Sequence, residues 1–248
     1  MPLYDFSNLT IDKTISPLDT MIVPGRKEQY FEIGHRALEL VEFAARLCEK
    51  PHFPNILDFG CGYARVLRWL RPRHHYAEIT ACELEQEAID FSALHWGAIP
   101  VRSHRDISRI KFDRKFDLVW CGSVLTHLDL PQWEQTLDML IDATNECGVI
   151  ILTLQGRFFA SALANKQRYV ADDVDQTSLL DDFKRNGFAY QKYFDRPDYG
   201  ITLSAPEWVT RLISKRTNVI LRSYIEESWG MQDVVILYKA ENYFAKVL

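Results

Sequence analysis

The residues of this chain that could do chemistry stand directly after short apolar runs. Asp58 ends one run and is followed by Gly60 and Gly62, Glu83 closes a second run, and His127 follows a third. An apolar run, a glycine turn and a helical pattern predict a strand, a tight turn and a helix. This is the first βα unit of an open α/β sheet, with a ligand site at the carboxyl end of the strand. An acid at that site favours a ligand that carries positive charge.

The glycine turn departs from the dinucleotide-binding fingerprint. Arg65 stands where that fingerprint has its third glycine, and the charge of Asp58 would repel a pyrophosphate. A nicotinamide-dependent reductase is therefore disfavoured. Asp58 could instead cap the following helix. Arg65 could bind a carboxylate of the ligand, or it could join the other arginines at 68, 71 and 73 on a solvated helix face.

Strand and helix patterns alternate along most of the chain. Strands are predicted at 55–59, 78–84, 99–102, 116–121, 149–154, 218–225 and 234–238, and helices at 27–48, 63–71, 86–96, after Pro131, at 157–168, at 178–186 and at 206–213. This alternation implies βαβ crossovers and a parallel sheet. Residues 155–204 interrupt the rhythm, and an insertion of that length in a compact domain predicts a lid or a binding loop.

Composition narrows the class of partner and the compartment. The formal net charge of −5 and the pI near 5.8 argue against a nucleic acid or an anionic membrane surface as the main partner. We expect no membrane span, because no apolar run approaches the roughly 18 residues required. The five cysteines show no Cys-x-x-Cys spacing, which favours reduced thiols in a cytoplasmic protein over disulfides or zinc.

The segment 58–64, Asp-Phe-Gly-Cys-Gly-Tyr-Ala, resembles the first motif of class I S-adenosylmethionine (SAM)-dependent methyltransferases, Asp/Glu-x-Gly-x-Gly-x-Gly. Further parts of that pattern follow in order, at Glu83, at Asp106-Ile107 and at 116–123. The resemblance covers roughly residues 27–240. It implies an α/β, Rossmann-like fold with a seven-stranded, mostly parallel sheet. We expect an N-terminal segment and helical cap at 1–52, and a methyltransferase domain at 53–240 with a substrate lid at 155–204.

The resemblance implies SAM as the methyl donor and S-adenosylhomocysteine (SAH) as the product. Asp58 would meet the amino group of SAM, and Glu83 would accept both ribose hydroxyls, unless it only caps the next helix. Asp106 would suit the adenine amine, with a turn acid as the alternative. The expected cofactor-binding residues are Asp58, Gly60, Cys61, Gly62, Arg65, Glu83, Leu84, Asp106, Ile107, Cys121 and Gly122.

His127 is the candidate catalytic residue. It follows the predicted strand at 116–121, beside the position of the donor methyl, and an imidazole can take a proton near neutral pH. Binding the substrate and a purely structural role stay open as alternatives. Asp129, before Pro131, is expected to be a helix N-cap residue. We expect no metal, because 123–129 offers one carboxylate where Mg²⁺ takes several oxygens.

Other segments are similar to bacterial methyltransferases that accompany glycosyltransferases in polysaccharide pathways: 30–34, 122–128, 199–201 and 229–234. Met231 departs from that pattern, in which a histidine often stands. The similarity implies transfer to oxygen of a glycan or other small polar acceptor, with glycosyltransferases of the same pathway as partners. Tyr199, Trp229 and Gln232 are expected in the acceptor pocket. The alternative is a non-catalytic module that holds SAM or SAH as a structural ligand.

Overall fold

Apolar strands and amphipathic helices alternate in the computed structural model, which describes residue 6 and residues 9–166, 174–194 and 199–240. The helices are α1 (Lys27–Leu47), α2 (Leu67–Arg73), α3 (Gln86–Trp96), α4 (Leu130–Ala143), α5 (Arg157–Ala164), α6 (Gln176–Asn186) and α7 (Pro206–Ile213). The strands are β1 (Asn55–Phe59), β2 (Glu78–Glu83), β3 (Ile99–Arg102), β4 (Phe116–Cys121), β5 (Thr144–Leu154), β6 (Phe188–Lys192), β7 (Gly200–Ser204), β8 (Val219–Trp229) and β9 (Gln232–Lys239).

Seven strands form one sheet in the order β3-β2-β1-β4-β5-β9-β8. Strands β1 to β5 pair in parallel, whereas β9 runs antiparallel to both β5 and β8. This confirms the predicted architecture, an α/β Rossmann-like fold with a seven-stranded, mostly parallel sheet and a terminal hairpin. The strand order reverses between β1 and β4, and ligands of such sheets bind at this switch point.

The sheet is buried on both faces. Ile56 and Leu57 in β1 are fully buried but belong to different apolar clusters, because neighbouring side chains of a strand point to opposite faces. Ile56 packs with Leu38 of α1 and Leu67 of α2, while Leu57 packs with Trp133 of α4. Burial on both faces explains why the strand patterns read as continuous apolar runs.

Helix α2 begins later than predicted and runs through Pro72. Ala64 has φ +63°, in the left-handed region, so the chain makes a turn after Gly62 before α2 can start at Leu67. Pro72 lies in the last turn of α2, where its missing N–H removes one hydrogen bond of the helix. The sequence pattern marked the helix but not the turn in front of it.

The insertion after β5 has its own apolar cluster, which includes Phe159, Leu179, Phe183 and Leu203. It contains two strands that the sequence analysis did not predict, β6 and β7, paired as an antiparallel hairpin. Strand β7 lies beside the short helical turn at 125–127. The insertion therefore borders the loop that carries the candidate base, and its role as a substrate lid stays a prediction.

Candidate active site

A cleft of about 1140 Å³, measured with its open mouth, lies at the carboxyl ends of β1 to β4. The structure brings ten of the predicted site residues to its wall: Gly60, Cys61, Gly62, Arg65, Glu83, Leu84, Ile107, Gly122, His127 and Tyr199. It also places there residues that the sequence did not single out, among them Asp19, Met21 and Gln132. Five predicted residues do not line the cleft: Asp58, Asp106, Cys121, Trp229 and Gln232.

The glycine turn after β1 depends on backbone conformations that favour glycine. Gly60 has φ +75° and Gly62 has φ +48°. A Cβ atom on Gly60 would stand 2.3 Å from Cγ2 of Val124, in the loop after β4. The N–H of Gly60 donates to the carbonyl of Cys82 at 2.8 Å, which joins the turn to β2. The turn is thus packed between two strand ends.

The Glu83 carboxylate is fixed at the end of β2 by two backbone donors. Its Oε2 accepts from the N–H of Gly62 at 2.9 Å and its Oε1 from the N–H of Leu84 at 2.6 Å. Within the described chain, α3 begins after Glu85 without a side-chain cap, so Glu83 does not cap that helix. Each carboxylate oxygen has a second lone pair, with which it could accept a hydrogen bond from a hydroxyl of a ligand.

Asp58 lies behind the glycine turn and is 1% exposed. Burial, followed by the charge of Glu83, raises the pKa of its carboxyl to about 7, against the opposing effects of Arg65 and the N–H of Leu67. Its Oδ2 has no hydrogen-bond partner within the described chain. A cation that approached this end of the cleft would therefore favour ionised Asp58.

Arg65 is a cationic group in the wall of the cleft. Its guanidinium carbon lies 5.3 Å from the ring centre of Trp229 and 6.0 Å from that of Tyr30. No carboxylate of the described chain forms an ion pair with it, and burial lowers its pKa. Buried charges usually have a partner, and the carboxylate of a ligand would supply one here.

The other arginines of this region do not form a solvated face, so that alternative is wrong. Arg68 is fully buried and donates to the carbonyls of Asp12 at 3.3 Å and Thr14 at 2.9 Å. The hydroxyl of Tyr30 donates to Asp19 at 2.6 Å. These bonds hold the N-terminal segment against α1 and α2 and bring Asp19 into the wall of the cleft.

His127 lies on the helical turn Leu125–His127 after β4. Its Nδ1 is 2.8 Å from the carbonyl oxygen of Gly200 in β7. A carbonyl can only accept, so Nδ1 carries the proton in the neutral ring and Nε2 is the basic nitrogen. The ring stacks on Tyr199, with 4.2 Å between centroids and 17° between planes. The insertion therefore fixes both the tautomer and the plane of His127.

Comparisons with known proteins fit this geometry. Residues 57–150 match the model of a methyltransferase domain family. The fold is similar to that of a SAM-dependent methyltransferase from Clostridium acetobutylicum, at 13% identity over 86% of this chain and 92% of that one, with a TM-score of 0.57. No curated protein matches the chain. The chain therefore carries a methyltransferase domain at residues 57–150, which supports a SAM-dependent methyltransferase.

Two further similar folds have more specific descriptions. One is a SAM-bound amino pentose methyltransferase from Micromonospora echinaspora, at 11% identity over 88% of this chain and 98% of that one, with a TM-score of 0.59. The other is a glycopeptide N-methyltransferase in complex with SAH, at 18% identity over 81% of this chain and 88% of that one, with a TM-score of 0.53. At these identities, the similarity shows the fold alone.

Asp106 has the turn role that the sequence left open, rather than a position on the cleft. It is exposed, and its Oδ1 accepts from the N–H of Ser108 at 3.1 Å and from its hydroxyl at 2.7 Å. Its neighbour Ile107 is buried and does line the cleft. Gln132 of α4 also lines the cleft, and its buried Oε1 has no partner in the described chain. Asp129 is the N-cap of α4, as predicted.

Cys121, Trp229 and Gln232 lie behind the wall of the cleft. Cys121 is fully buried in β4, and burial raises the pKa of its thiol. The indole N–H of Trp229 donates to the carbonyl of Ile33 at 2.9 Å, and the Gln232 amide donates to Oγ of Ser123 at 2.8 Å. The polar atoms of Trp229 and Gln232 thus serve protein groups, a pairing that their positions in the sequence could not reveal.

Two features are absent from the residues that the structure describes. They contain no group of three His, Cys, Asp or Glu side chains that could hold a metal ion. No helix in the same ranges is long and apolar enough to cross a membrane.

Proposed function

We propose that this methyltransferase transfers the methyl group of SAM to a hydroxyl oxygen of a saccharide or another small polar acceptor, with His127 as the base. The observation that carries the proposal is the hydrogen bond from Nδ1 of His127 to Gly200, which makes Nε2 the basic nitrogen in the wall of the donor cleft. A base of this kind contributes about 10²–10⁴-fold to a rate.

Three features of the cleft fit SAM. The carboxylate of Glu83, held by two backbone N–H groups, suits the paired hydroxyls of a ribose. The methionine part of SAM carries one carboxylate, which could pair with Arg65 in the wall, and one ammonium, which the buried Asp58 behind the glycine turn would attract through its charge. Leu84 and Ile107 offer apolar contacts for the adenine, and Oε1 of Gln132 offers an acceptor for its amino group.

SAM supplies a methyl group that is already activated by the positive charge on sulfur. The residues of the cleft need only hold the donor and align the acceptor oxygen with it, and placement accounts for much of the acceleration in such a reaction. Nε2 of His127 takes the hydroxyl proton as the new carbon–oxygen bond forms and the carbon–sulfur bond breaks. The stacked ring of Tyr199 and the Gly200 carbonyl keep the imidazole in place meanwhile.

The acceptor side is rich in aromatic rings. Tyr193 lies 5.8 Å from Tyr199 and 6.5 Å from His127 between ring centroids. Such rings can stack on a sugar. The similar folds named as amino pentose and glycopeptide methyltransferases also favour an acceptor that bears a sugar. Tyr169, another aromatic residue of the insertion, lies outside the described residues.

Methyl transfer from labelled SAM to a panel of methyl glycosides and nucleoside diphosphate hexoses tests the proposal, with mass spectrometry and NMR to locate the methyl group. We expect an O-methylated product. His127→Ala and Tyr199→Ala should lower kcat while the Kd for SAH, measured by titration calorimetry, stays nearly unchanged. His75→Ala, on the exposed surface, is the matched control.

Three outcomes would contradict the proposal. Tight SAH binding without turnover on any acceptor would favour the non-catalytic module. An N-methylated product would exclude transfer to oxygen. Unchanged kcat in His127→Ala would exclude a base at that position.

Three further predictions from the sequence stay predictions. They are the division at residue 53 with a lid at 155–204, a cytoplasmic location inferred from the cysteines, and glycosyltransferases of the same pathway as partners. The described cysteines are all free.

A further inference from the structure

A closed ring of three hydrogen bonds lies at the base of the loop that carries His127. The N–H of Ser123 donates to Oγ1 of Thr153 at 2.8 Å, and the Thr153 hydroxyl donates to Oε1 of Gln232 at 2.5 Å. Nε2 of Gln232 then donates to Oγ of Ser123 at 2.8 Å. The ring joins the end of β4 to β5 and β9, and it uses a donor and an acceptor of the Gln232 amide.

The ring holds a backbone conformation that would otherwise be unfavourable. Ser123 has φ +60°, in the left-handed region, which a side chain with a Cβ atom rarely adopts. The Ser123 carbonyl accepts from the hydroxyl of Thr126 at 2.7 Å, and the N–H of His127 donates to the carbonyl of Val124 at 3.1 Å. Ser123 is therefore the point from which the turn leading to His127 starts.

The two ends of this loop are held by different parts of the molecule. The ring fixes Ser123 to the central sheet, whereas Gly200 binds His127 and the hydroxyl of Thr202 donates to the carbonyl of Leu128 at 2.6 Å. Strand β7 of the insertion thus holds the far end. The place of the imidazole depends on both attachments.

We propose that Thr153 and Gln232 are positioning residues, which set the loop 122–128 so that His127 faces the acceptor. The proposal rests on the proposed function in that it takes His127 as the base. Neither residue lines the cleft, and Thr153 is fully buried. Removing the Thr153 hydroxyl would leave the Ser123 N–H without its acceptor and Gln232 Oε1 without its donor, so the loop would move to find others.

Thr153→Val, which keeps the shape and removes the hydroxyl, is the disruptive variant, and Thr153→Ser restores the hydroxyl. Thr210→Val is the matched control, because its hydroxyl bonds only to main-chain carbonyls of α7. We expect Thr153→Val to lower kcat at least about tenfold through the displaced base, and Thr153→Ser to recover most of it. The Kd for SAH should change less than about threefold.

A double-mutant cycle with His127→Ala separates positioning from general stability. If Thr153 acts through His127, Thr153→Val will not lower kcat any further in the His127→Ala background. Equal losses in both backgrounds, or a loss in Thr210→Val as large as in Thr153→Val, would overturn the proposal.

A crystal structure of Thr153→Val with SAH gives a readout that needs no acceptor. We expect Ser123 to leave the left-handed region or His127 to separate from the Gly200 carbonyl. An unchanged loop would overturn the proposal even if methyl transfer is found. A displaced loop in a protein without turnover would instead contradict the proposed function and leave the positioning role supported.

Discussion

Binding of SAH should release a proton from Asp58. Burial and the charge of Glu83 raise the pKa of this carboxyl to about 7, so near pH 6 about nine-tenths of it is protonated in the free protein. If the ligand ammonium comes close, its charge favours the ionised form. A pKa lowered by about two in the complex would release about 0.8 proton near pH 6, about 0.5 near pH 7 and about 0.1 near pH 8.

The same linkage fixes the sign of two pH dependences. Because binding releases a proton, affinity for SAH rises with pH, by about tenfold between pH 6 and pH 8 for that change in pKa. The contribution of Asp58 to the stability of the free protein shows the opposite trend. The raised pKa means that Asp58 binds more protons in the folded state than in the unfolded chain, so the contribution of Asp58 to stability falls as pH rises from about 4 to about 7.

Titration calorimetry in two buffers of different ionisation enthalpy measures the released protons, from the slope of the observed enthalpy against that ionisation enthalpy. Asp58→Asn keeps the size of the side chain and cannot ionise, so its slope should be close to zero. A wild-type slope near zero at pH 6, or an equal slope in Asp58→Asn, would refute the reasoning.

Three further variants test other contacts. Glu83→Ala should weaken SAH binding about tenfold or more, because a charge-assisted pair is lost; an unchanged Kd with a native circular dichroism spectrum would contradict this. Gln132→Leu should weaken binding of SAH but not of an analogue without the adenine amino group, and equal losses for both would exclude the contact. Gly34→Ala should lower the Tm by several degrees in a thermal scan, since its Cβ would stand 2.3 Å from the Arg65 carbonyl oxygen and 2.6 Å from the Trp69 ring; an unchanged Tm would show that α1 shifts freely.

The central sheet, and the sheet edge that carries Glu83 and Gly60, could be predicted from the sequence. Strands that are buried on both faces are apolar throughout, so the sequence pattern reveals them. The carboxyl ends of parallel strands meet at one edge of the sheet, so the order of Glu83 and Gly60 in the chain predicts that they are neighbours. His127 was placed on the same edge for the same reason. These inferences need only local pattern and topology.

Packing in three dimensions determines which side chains keep a polar atom that is not already hydrogen-bonded within the protein. Asp106, Trp229 and Gln232 stand where the pattern suggested a ligand contact, yet their polar groups are paired with protein atoms. Conversely, Asp19 and Gln132 line the cleft, although no periodic pattern in the sequence marks them as site residues. Packing determines which residues far apart in the chain form hydrogen bonds with each other. The local sequence pattern predicts where a residue lies along a strand or helix, but it does not predict which group that residue binds.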